Sequence, residues 1–546
     1  MANSSVFVVT TLRLLQVTLV IGLTLVQFFV FWNREPPIDG RPFLPRRTNY
    51  TEVEGLTMEH RSHEPAIIKP WPNLPSFQPW KLDPDLQPYA CEGFFGHGFT
   101  EEHRIIESRC KDEDGRTNSS RWSGESDVCG SFRCFFSETL KTSVCEGKNI
   151  LMNPERIKVS RGGEALDEVI GRQEEEELPE YAEGAFQVQL SRHWHPKLLS
   201  SAGVIDEISV DKLMPKGQIN QHTLRSLLLN LRSVDSRSIV CSERVHEPTL
   251  FVTRYEYANL FHTSTDWFSA YISSRVAGLQ HRPHIVFLDG HCKSPMDDAW
   301  KAMFSSVTFA KHYSGSVCFD HAIFAPLGYD IPLFKYIDHR LNCPGSSVEN
   351  LDRNEVLGGV ERKMARLREF GEFVARSFET LPGDRTFIVD RHAQDISVLF
   401  VRREDYLAHP RHNGRPESRL SNEGEVYEVL KEWAVEKSVK GLNITIVNGL
   451  LAHMSMDEQV QAVKKADVLI GAHGAGMTYL MFAKPSTIVF ELLSPKYRRP
   501  HFATLSYWMG MDYRVIDMES SFADIDQVMN EMDRILEDVK SRKYEM

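Results

Sequence analysis

Asn259, His262 and Asp266 stand at i, i+3 and i+7 in the run YEYANLFHTSTDW. On a helix that spacing places all three on one face. His262 and Asp266 suit an acid/base pair, because an imidazole four residues from a carboxylate holds it in position and shares its proton. A buried Asn/His/Asp network that only supports the helix is the other reading of the same spacing. A second group is Gly471, Gly474 and Gly476 in ADVLIGAHGAGMTYLMFAKPSTIVFELL. Glycines let the backbone approach a ligand closely, and a helix opening near Met477 turns unpaired N–H groups and a positive dipole end toward that spot. An anion suits the backbone of His473, Gly474, Ala475 and Gly476. Glu491 closes the next apolar run, where a carboxylate can accept hydrogen bonds from a ribose. The spacing departs from G-x-G-x-x-G, so a plain strand-to-helix turn competes with half a nucleotide site; the imidazole of His473 inside the turn favours the site.

Arg402 and Arg403 follow a third apolar run in FVRREDYL, and Arg419 and Asn422 follow a polar loop. Guanidinium forks suit a diphosphate, and one of these arginines would face the glycine turn; surface ion pairs with Glu404 and Asp405 are the alternative. A metal is poorly supported. The acidic pairs Asp83/Asp85, Asp112/Asp114 and Asp524/Asp526 follow no core strand, and Asp289 in VFLDGHC has only His291 as a near partner. The run Glu174–Glu177 reads as a solvated helix end.

These residues need strands that end at them. Residues 249–252, 284–288 and 322–325 read as strands and 260–276 and 302–309 as helices, an alternation that makes a parallel sheet. An amphipathic helix follows with Val360, Met364, Leu367, Phe370, Phe373 and Val374 on one side, then a linker over 381–396. A second unit runs strand 398–401, helix 426–435, strand 445–447, helix 456–465 and the glycine motif. A last helix, capped by Ser521 and Asp524, buries Ile525, Val528, Met532, Ile535 and Val539. Two facing α/β domains with a cleft between them are expected.

Residues 14–32 carry no charge and span about 28 Å at about 1.5 Å per residue, the thickness of a bilayer core. The run ends in Phe28, Phe29, Phe31 and Trp32, not in a small-residue cleavage site, so it reads as a signal anchor. Sequons at Asn49, Asn118 and Asn443 and the nine cysteines place the bulk of the chain in a lumen. The C-terminus is not a K-D-E-L type signal, so a single-pass type II Golgi membrane protein is expected. Its parts are a cytosolic tail over 1–13, the anchor, a stem over 33–65, a Pro/Trp- and Cys-rich lead-in over 66–150 packed on an N-terminal domain over 151–385, a C-terminal domain over 396–518 and a final helix over 519–546. Cys91, Cys110, Cys129, Cys134 and Cys145 crowd the lead-in, with Cys241, Cys292, Cys318 and Cys343 beyond it. Neither CxxC pairs nor matching histidines occur, so disulfides are expected and zinc is not. The odd count leaves one thiol free or bonded to another chain; Cys110 and Cys129, which bracket the Asn118 sequon, are expected to pair. A net charge of −12 argues against a nucleic-acid binder.

NLFH followed by TSTDW, the arginine after VLFV, SRLSNE and ADVLIGAHGAGMTYLMFAKPSTIVFEL resemble the family 61 glycosyltransferases. KPWPNLPSFQPW, CEGFFGHGFT, FRCFFSETL, EPTLFVTRYEYANLFH, FVRREDYLAHPRH and NGLLAHMSM resemble the members of that family that process plant N-glycans. The likeness runs from about 69 to 517. It implies a GT-B-like fold of two Rossmann-type domains and an inverting transfer of xylose from UDP-xylose to the 2-hydroxyl of the core β-mannose of an N-glycan, with no metal required. Asp266 would be the base with His262 as orienting partner or substitute base, and burial against Phe261 and Trp267 would raise its pKa. Arg403, with Arg402 or Arg419 assisting and Asn422 beside them, would meet UDP together with the amides of His473 to Gly476. Glu491 would take the ribose, Asn259 would support the helix, and the acceptor would lie on the first domain and its lead-in. Three alternatives remain: another UDP-sugar such as UDP-N-acetylglucosamine, a dinucleotide oxidoreductase, and a silent glycan-binding protein.

Overall fold

The computed structural model describes residues 68–77, 99–106, 130–138, 140–190, 204–216, 223–235, 240–335, 337, 365–379, 395–403, 419–438 and 442–545, within one compact unit, Pro65–Met546. The anchor, the stem, Asn49, Asn118, Cys91, Cys110, Cys129, Cys343, Asp83, Asp85, Asp112, Asp114, Glu404, Asp405 and residues 381–394 of the linker lie outside the described residues. Among the described residues no helix is long and apolar enough to cross a membrane.

The fold is mixed α/β, built on two sheets. The first has ten strands: β1 Glu101–Ile106, β2 Ser131–Ser137, β3 Thr142–Met152, β4 Phe186–Leu190, β5 Arg232–Asp235, β6 Glu243–Val245, β7 Thr249–Val252, β8 His284–Phe287, β9 Ser306–Phe309 and β10 Val317–Phe324. Its main path runs β1-β2-β3-β10-β7-β8-β9, parallel from β10 to β9 and antiparallel from β1 to β10. The described part of the cysteine-rich lead-in therefore enters the sheet itself. A disulfide joins Cys134 to Cys145, which face each other across β2 and β3. A second joins Cys241 to Cys318, and Cys292 is a buried free thiol.

Between β7 and β8 runs α1, Leu260–Val276, as the spacing expects. It starts at Leu260 because the Asn259 side chain accepts a hydrogen bond from the Phe261 amide at 3.0 Å. It ends as the chain turns left-handed at Gly278, φ 68°. Although rich in serine and threonine, α1 is buried nearly all round. Several of its hydroxyls donate to carbonyls: Ser274 to Ala270 at 2.8 Å, Ser269 to Pro326 at 2.6 Å and Thr265 to His262 at 2.6 Å.

One expected helix is wrong. Within 302–309 the structure has the end of α2, Asp297–Met303, and then strand β9. The run Ser-Val-Thr-Phe finds a full parallel ladder on β8, which outweighs the helical reading of its apolar positions.

After α3, Ala365–Ser377, comes the second sheet. It has five parallel strands: β11 Asp395–Val401, β12 Asn443–Gly449, β13 Val468–Ala472, β14 Ile488–Leu493 and β15 Asp512–Asp517, in the order β12-β11-β13-β14-β15. Chain direction across the sheet reverses between β11 and β13, and ligands of such sheets bind beyond the carboxyl ends of the strands at that point. Helices α4 Glu423–Lys437 and α5 Met456–Lys465 connect these strands, and α6 His501–Met509 precedes β15. The helix expected near Met477 is a 3-10 helix, Ala475–Phe482. The last helix, α7 Ile525–Glu545, starts where Asp524 accepts from the Gln527 amide at 3.2 Å and buries Val528, Met532, Ile535 and Val539 with Val426, Leu430 and Trp433 of α4.

One apolar core joins the two sheets' layers: Phe268, Tyr271, Phe370 and Phe373 cluster with Met477, Phe482 and Trp508. Helix α3 lies so close to the 3-10 helix that a Cβ on Gly371 would fall 1.9 Å from the Met481 carbonyl oxygen. Asn443 is exposed at the start of β12.

Candidate active site

At the reversal point Val401 pairs with Gly471, so the chain leaving β11 carries Arg402 and Arg403 beside the turn that leaves β13. A Cβ on Gly474 would lie 2.5 Å from Nη1 of Arg403 and 3.7 Å from Nη1 of Arg419. Two guanidinium groups thus converge on one glycine, and any side chain there would displace Arg403. Arg419 donates to the His473 carbonyl at 2.9 Å and lies 3.9 Å over the Tyr497 ring. The 3-10 helix opens at Ala475, and the first amides of a helix lack partners within it. Arg403, Arg419, Gly474, Ala475 and Gly476 together make a positively charged cluster whose chemistry suits a diphosphate.

Three expected donor ligands are placed elsewhere. Glu491 is fully buried, with Oε1 bonded to Nδ1 of His473 at 2.5 Å and Oε2 to the Tyr513 hydroxyl at 2.5 Å. It orients His473 and offers nothing to a ribose here. Arg402 turns to Glu423 at 3.3 Å and Asn448 at 3.1 Å. Asn422 spends its amide on both backbone groups of Ala523, at 2.9 Å each, and on Glu425 at 3.1 Å, tying α4 to the lead into α7.

On the other side, the first turn of α1 carries His262 and the next carries Asp266. Asp266 is 2% exposed. Its Oδ1 accepts from the Gly328 amide at 3.2 Å, and its Oδ2 has no hydrogen-bond partner among the described residues. Burial first, then the charge of Asp289, pushes its carboxyl well above the ordinary 3.8, against the pull of Gly328 and Arg254. His262 is partly exposed, its Nδ1 has no partner among the described residues, and no hydrogen bond joins it to Asp266. Burial lowers its pKa below 6.5, with Glu256 opposing and His501 assisting. A neutral imidazole at neutral pH follows.

A carboxyl raised in the folded state stabilises the fold fully only below its unfolded value, and that contribution is lost as pH rises through the folded value. Asp266→Asn is therefore expected to melt higher than the unmodified protein near neutrality, with the gap closing as pH falls toward 3.8. Melting curves across that window check the sign; equal melting temperatures at pH 7 would mean that Asp266 is not held against its charge.

The two sides touch. Phe261 stacks on His501 at 5.7 Å and 11°, and His501 and Phe502 stand 5.9 and 4.9 Å from the His473 ring. One imidazole, His501, thus separates the start of α1 from the glycine turn, and the sequence reading missed it.

It also missed what underlies α1. Val252 and Phe287 pair in register, and two residues beyond each stand Arg254 and Asp289. Arg254 donates from its amide at 2.7 Å and from Nη2 at 2.8 Å to Asp289, reaches Asp297 at 3.1 Å and lies 3.8 Å over Phe287. Burial disfavours the Asp289 charge, yet Arg254 and His291 outweigh it and hold the carboxyl below 3.8. His291 bonds the Arg254 carbonyl at 2.8 Å and Glu177 at 3.0 Å. Asp289 thus has a partner beyond His291, and Glu177, in the run expected to be solvated, is buried. The available signal was a charged residue of each sign two places past neighbouring strands. Among the described residues no group of three or more His, Cys, Asp and Glu side chains is placed to hold a metal ion.

Residues 192–490 match the sequence profile of the family described as Glycosyltransferase 61. The chain is 46% identical over 478 residues to a beta-1,2-xylosyltransferase (RCN11) of Oryza sativa subsp. japonica, covering 87% of this chain and 84% of that protein. It is 42% identical over 539 residues to a beta-1,2-xylosyltransferase of Arabidopsis thaliana, covering 94% and 96%. A more distant likeness, 23% over 280 residues, is to an EGF domain-specific O-linked N-acetylglucosamine transferase of Gallus gallus, covering 48% and 43%.

Proposed function

The chain belongs to the glycosyltransferase 61 family, and from that premise we propose that it is an inverting glycosyltransferase that adds xylose in a β-1,2 bond during N-glycan processing. The two plant relatives bear that activity in their names, and the chain covers at least 84% of each. The donor is UDP-xylose and the acceptor hydroxyl is the 2-OH of the core β-mannose. The two sheets, with their parallel strands aimed at a shared region, serve as the two halves of a GT-B arrangement. The observation that carries the reading is the convergence of Arg403 and Arg419 on Gly474, with His262 beyond His501.

In this reading His262 removes the proton of the 2-hydroxyl as that oxygen attacks C1 of xylose from the face opposite UDP, and the C1–O bond to UDP breaks. The electron pair leaves with the diphosphate. Arg403, Arg419 and the amides of Ala475 and Gly476 stabilise the charge that develops there, so no metal ion is required. His262 is preferred to Asp266 as the base because it is partly exposed and neutral, whereas Asp266 is enclosed and accepts from Gly328. Glu491 and Asp266 act as positioning residues. The protein resides in the Golgi membrane, held by residues 14–32 with its catalytic part in the lumen.

The test is incubation of the purified lumenal part, from about residue 66, with UDP-xylose and an N-glycan ending in N-acetylglucosamine on its mannose arms, in EDTA, read by mass spectrometry. A gain of one pentose is expected. A gain only with manganese, or only with UDP-N-acetylglucosamine, overturns the metal or the donor assignment, and no transfer from any donor overturns the reading as a whole.

A further inference from the structure

The two arginines that converge on Gly474 come from separate segments, and one carboxylate ties those segments together. Arg403 follows β11, and Arg419 stands four residues before Glu423, the first residue of α4. Glu423 divides its oxygens between the two residues that leave β11: Oε1 accepts from the Arg403 amide at 3.0 Å and Oε2 from Nε of Arg402 at 3.3 Å. Its side chain is largely buried. One turn further along α4, the Tyr427 ring lies 5.0 Å beneath the Arg402 guanidinium and stacks on Phe400 of β11 at 6.2 Å and 16°. Arg402 is thereby held on α4. Adjacent side chains diverge, so holding Arg402 there directs Arg403 the other way, toward Gly474. The start of α4 is itself fixed, because Asn422 bonds both backbone groups of Ala523.

We propose that Glu423 is a positioning residue for the donor's diphosphate: it touches no substrate, and it holds the bend at Arg402 and Arg403 to the start of α4 so that Arg403 and Arg419 meet at one glycine. The inference rests on the assignment of the diphosphate to that cluster. A guanidinium on a long stem loses rotamer freedom when it closes on an anion, and a chain ordered beforehand leaves less of that loss to binding. Because Oε1 takes the backbone amide of Arg403, Glu423 fixes the chain from which that guanidinium extends. Oε2 acts on the neighbour, keeping Arg402 with α4 and away from the glycine turn. Glu423 thus links the two arginine segments directly, whereas Arg419 reaches the turn on its own through the His473 carbonyl at 2.9 Å.

The experiment titrates UDP and uridine into the unmodified protein, Glu423→Ala, Arg403→Ala and the double variant. Glu423→Ala is expected to weaken UDP about tenfold, a coupling usual within one hydrogen-bonded network, and to leave the affinity for uridine, which lacks the diphosphate, unmoved. In the Arg403→Ala background the same substitution is expected to add no further loss, because the guanidinium that Glu423 positions is gone. Additive losses overturn the proposal, as do equal losses of UDP and uridine, which would make Glu423 a support of the fold alone. If Glu423→Ala does not fold, Glu423→Asp takes its place: it keeps the charge but, one methylene shorter, withdraws from the Arg403 amide. The same loss of UDP without loss of uridine is expected there, and an unchanged UDP affinity overturns the proposal. Arg403→Ala that leaves UDP affinity unchanged overturns the diphosphate assignment itself, and the role of Glu423 with it.

Discussion

His262→Ala is expected to lower kcat by about 10²- to 10⁴-fold, the contribution of a positioned general base, while UDP still binds. The proton of the acceptor hydroxyl needs a receiver beside it. Asp266 is enclosed and engaged with Gly328, and Glu491 is fully buried and bonded to His473 and Tyr513. His262 alone of these acceptor candidates is partly exposed, and its buried Nδ1 has no partner among the described residues. Its pH behaviour follows from the same burial. A protonated imidazole cannot accept the proton, and burial holds its pKa below 6.5, so the acid limb of kcat/KM should fall below 6.5 and vanish in the alanine variant. Near-normal turnover in His262→Ala, with loss in Asp266→Asn, would return the base to Asp266.

Arg403→Ala is expected to cost about 3 to 4 kcal/mol of transition-state stabilisation, roughly 10²- to 10³-fold in rate, and to weaken UDP binding as well. The guanidinium sits where a Cβ on Gly474 would be, at the point where the chain reverses between β11 and β13. Removing it takes a full charge from a cluster whose other members are Arg419 and backbone amides. Titration calorimetry with UDP and single-turnover rates separate the two losses. Unchanged UDP affinity together with an unchanged rate would show that the diphosphate lies elsewhere.

The strands that carry the site were legible because each combines β-branched and aromatic residues with a glycine or charged stop, as in β7, β11 and β13. Helix α1 was legible to the residue because its cap, Asn259, is local. The side chains' tasks were not. Arg402 and Arg403 are adjacent, and adjacent residues diverge. One went to Glu423 and Asn448 and the other to Gly474, a division that depends on residues 21 to 71 positions away. Glu491 stands at a strand end as a ribose ligand would, but its oxygens are taken by a histidine 18 residues before it and a tyrosine 22 after.

The sequence by itself determined the family, the alternation of strands and helices and the positions where chemistry leaves each strand, because those depend on local pattern and on long matching phrases. Only the tertiary structure decided which of those residues is free to act. A carboxylate, guanidinium or amide is a ligand or a support according to what else reaches it first, and here the deciding partners come from segments distant along the chain: Gly328 to Asp266, Tyr513 to Glu491, Ala523 to Asn422 and Arg254 to Asp289. Burial then set the charge of His262 and Asp266, through a loss of water that no spacing along the chain records.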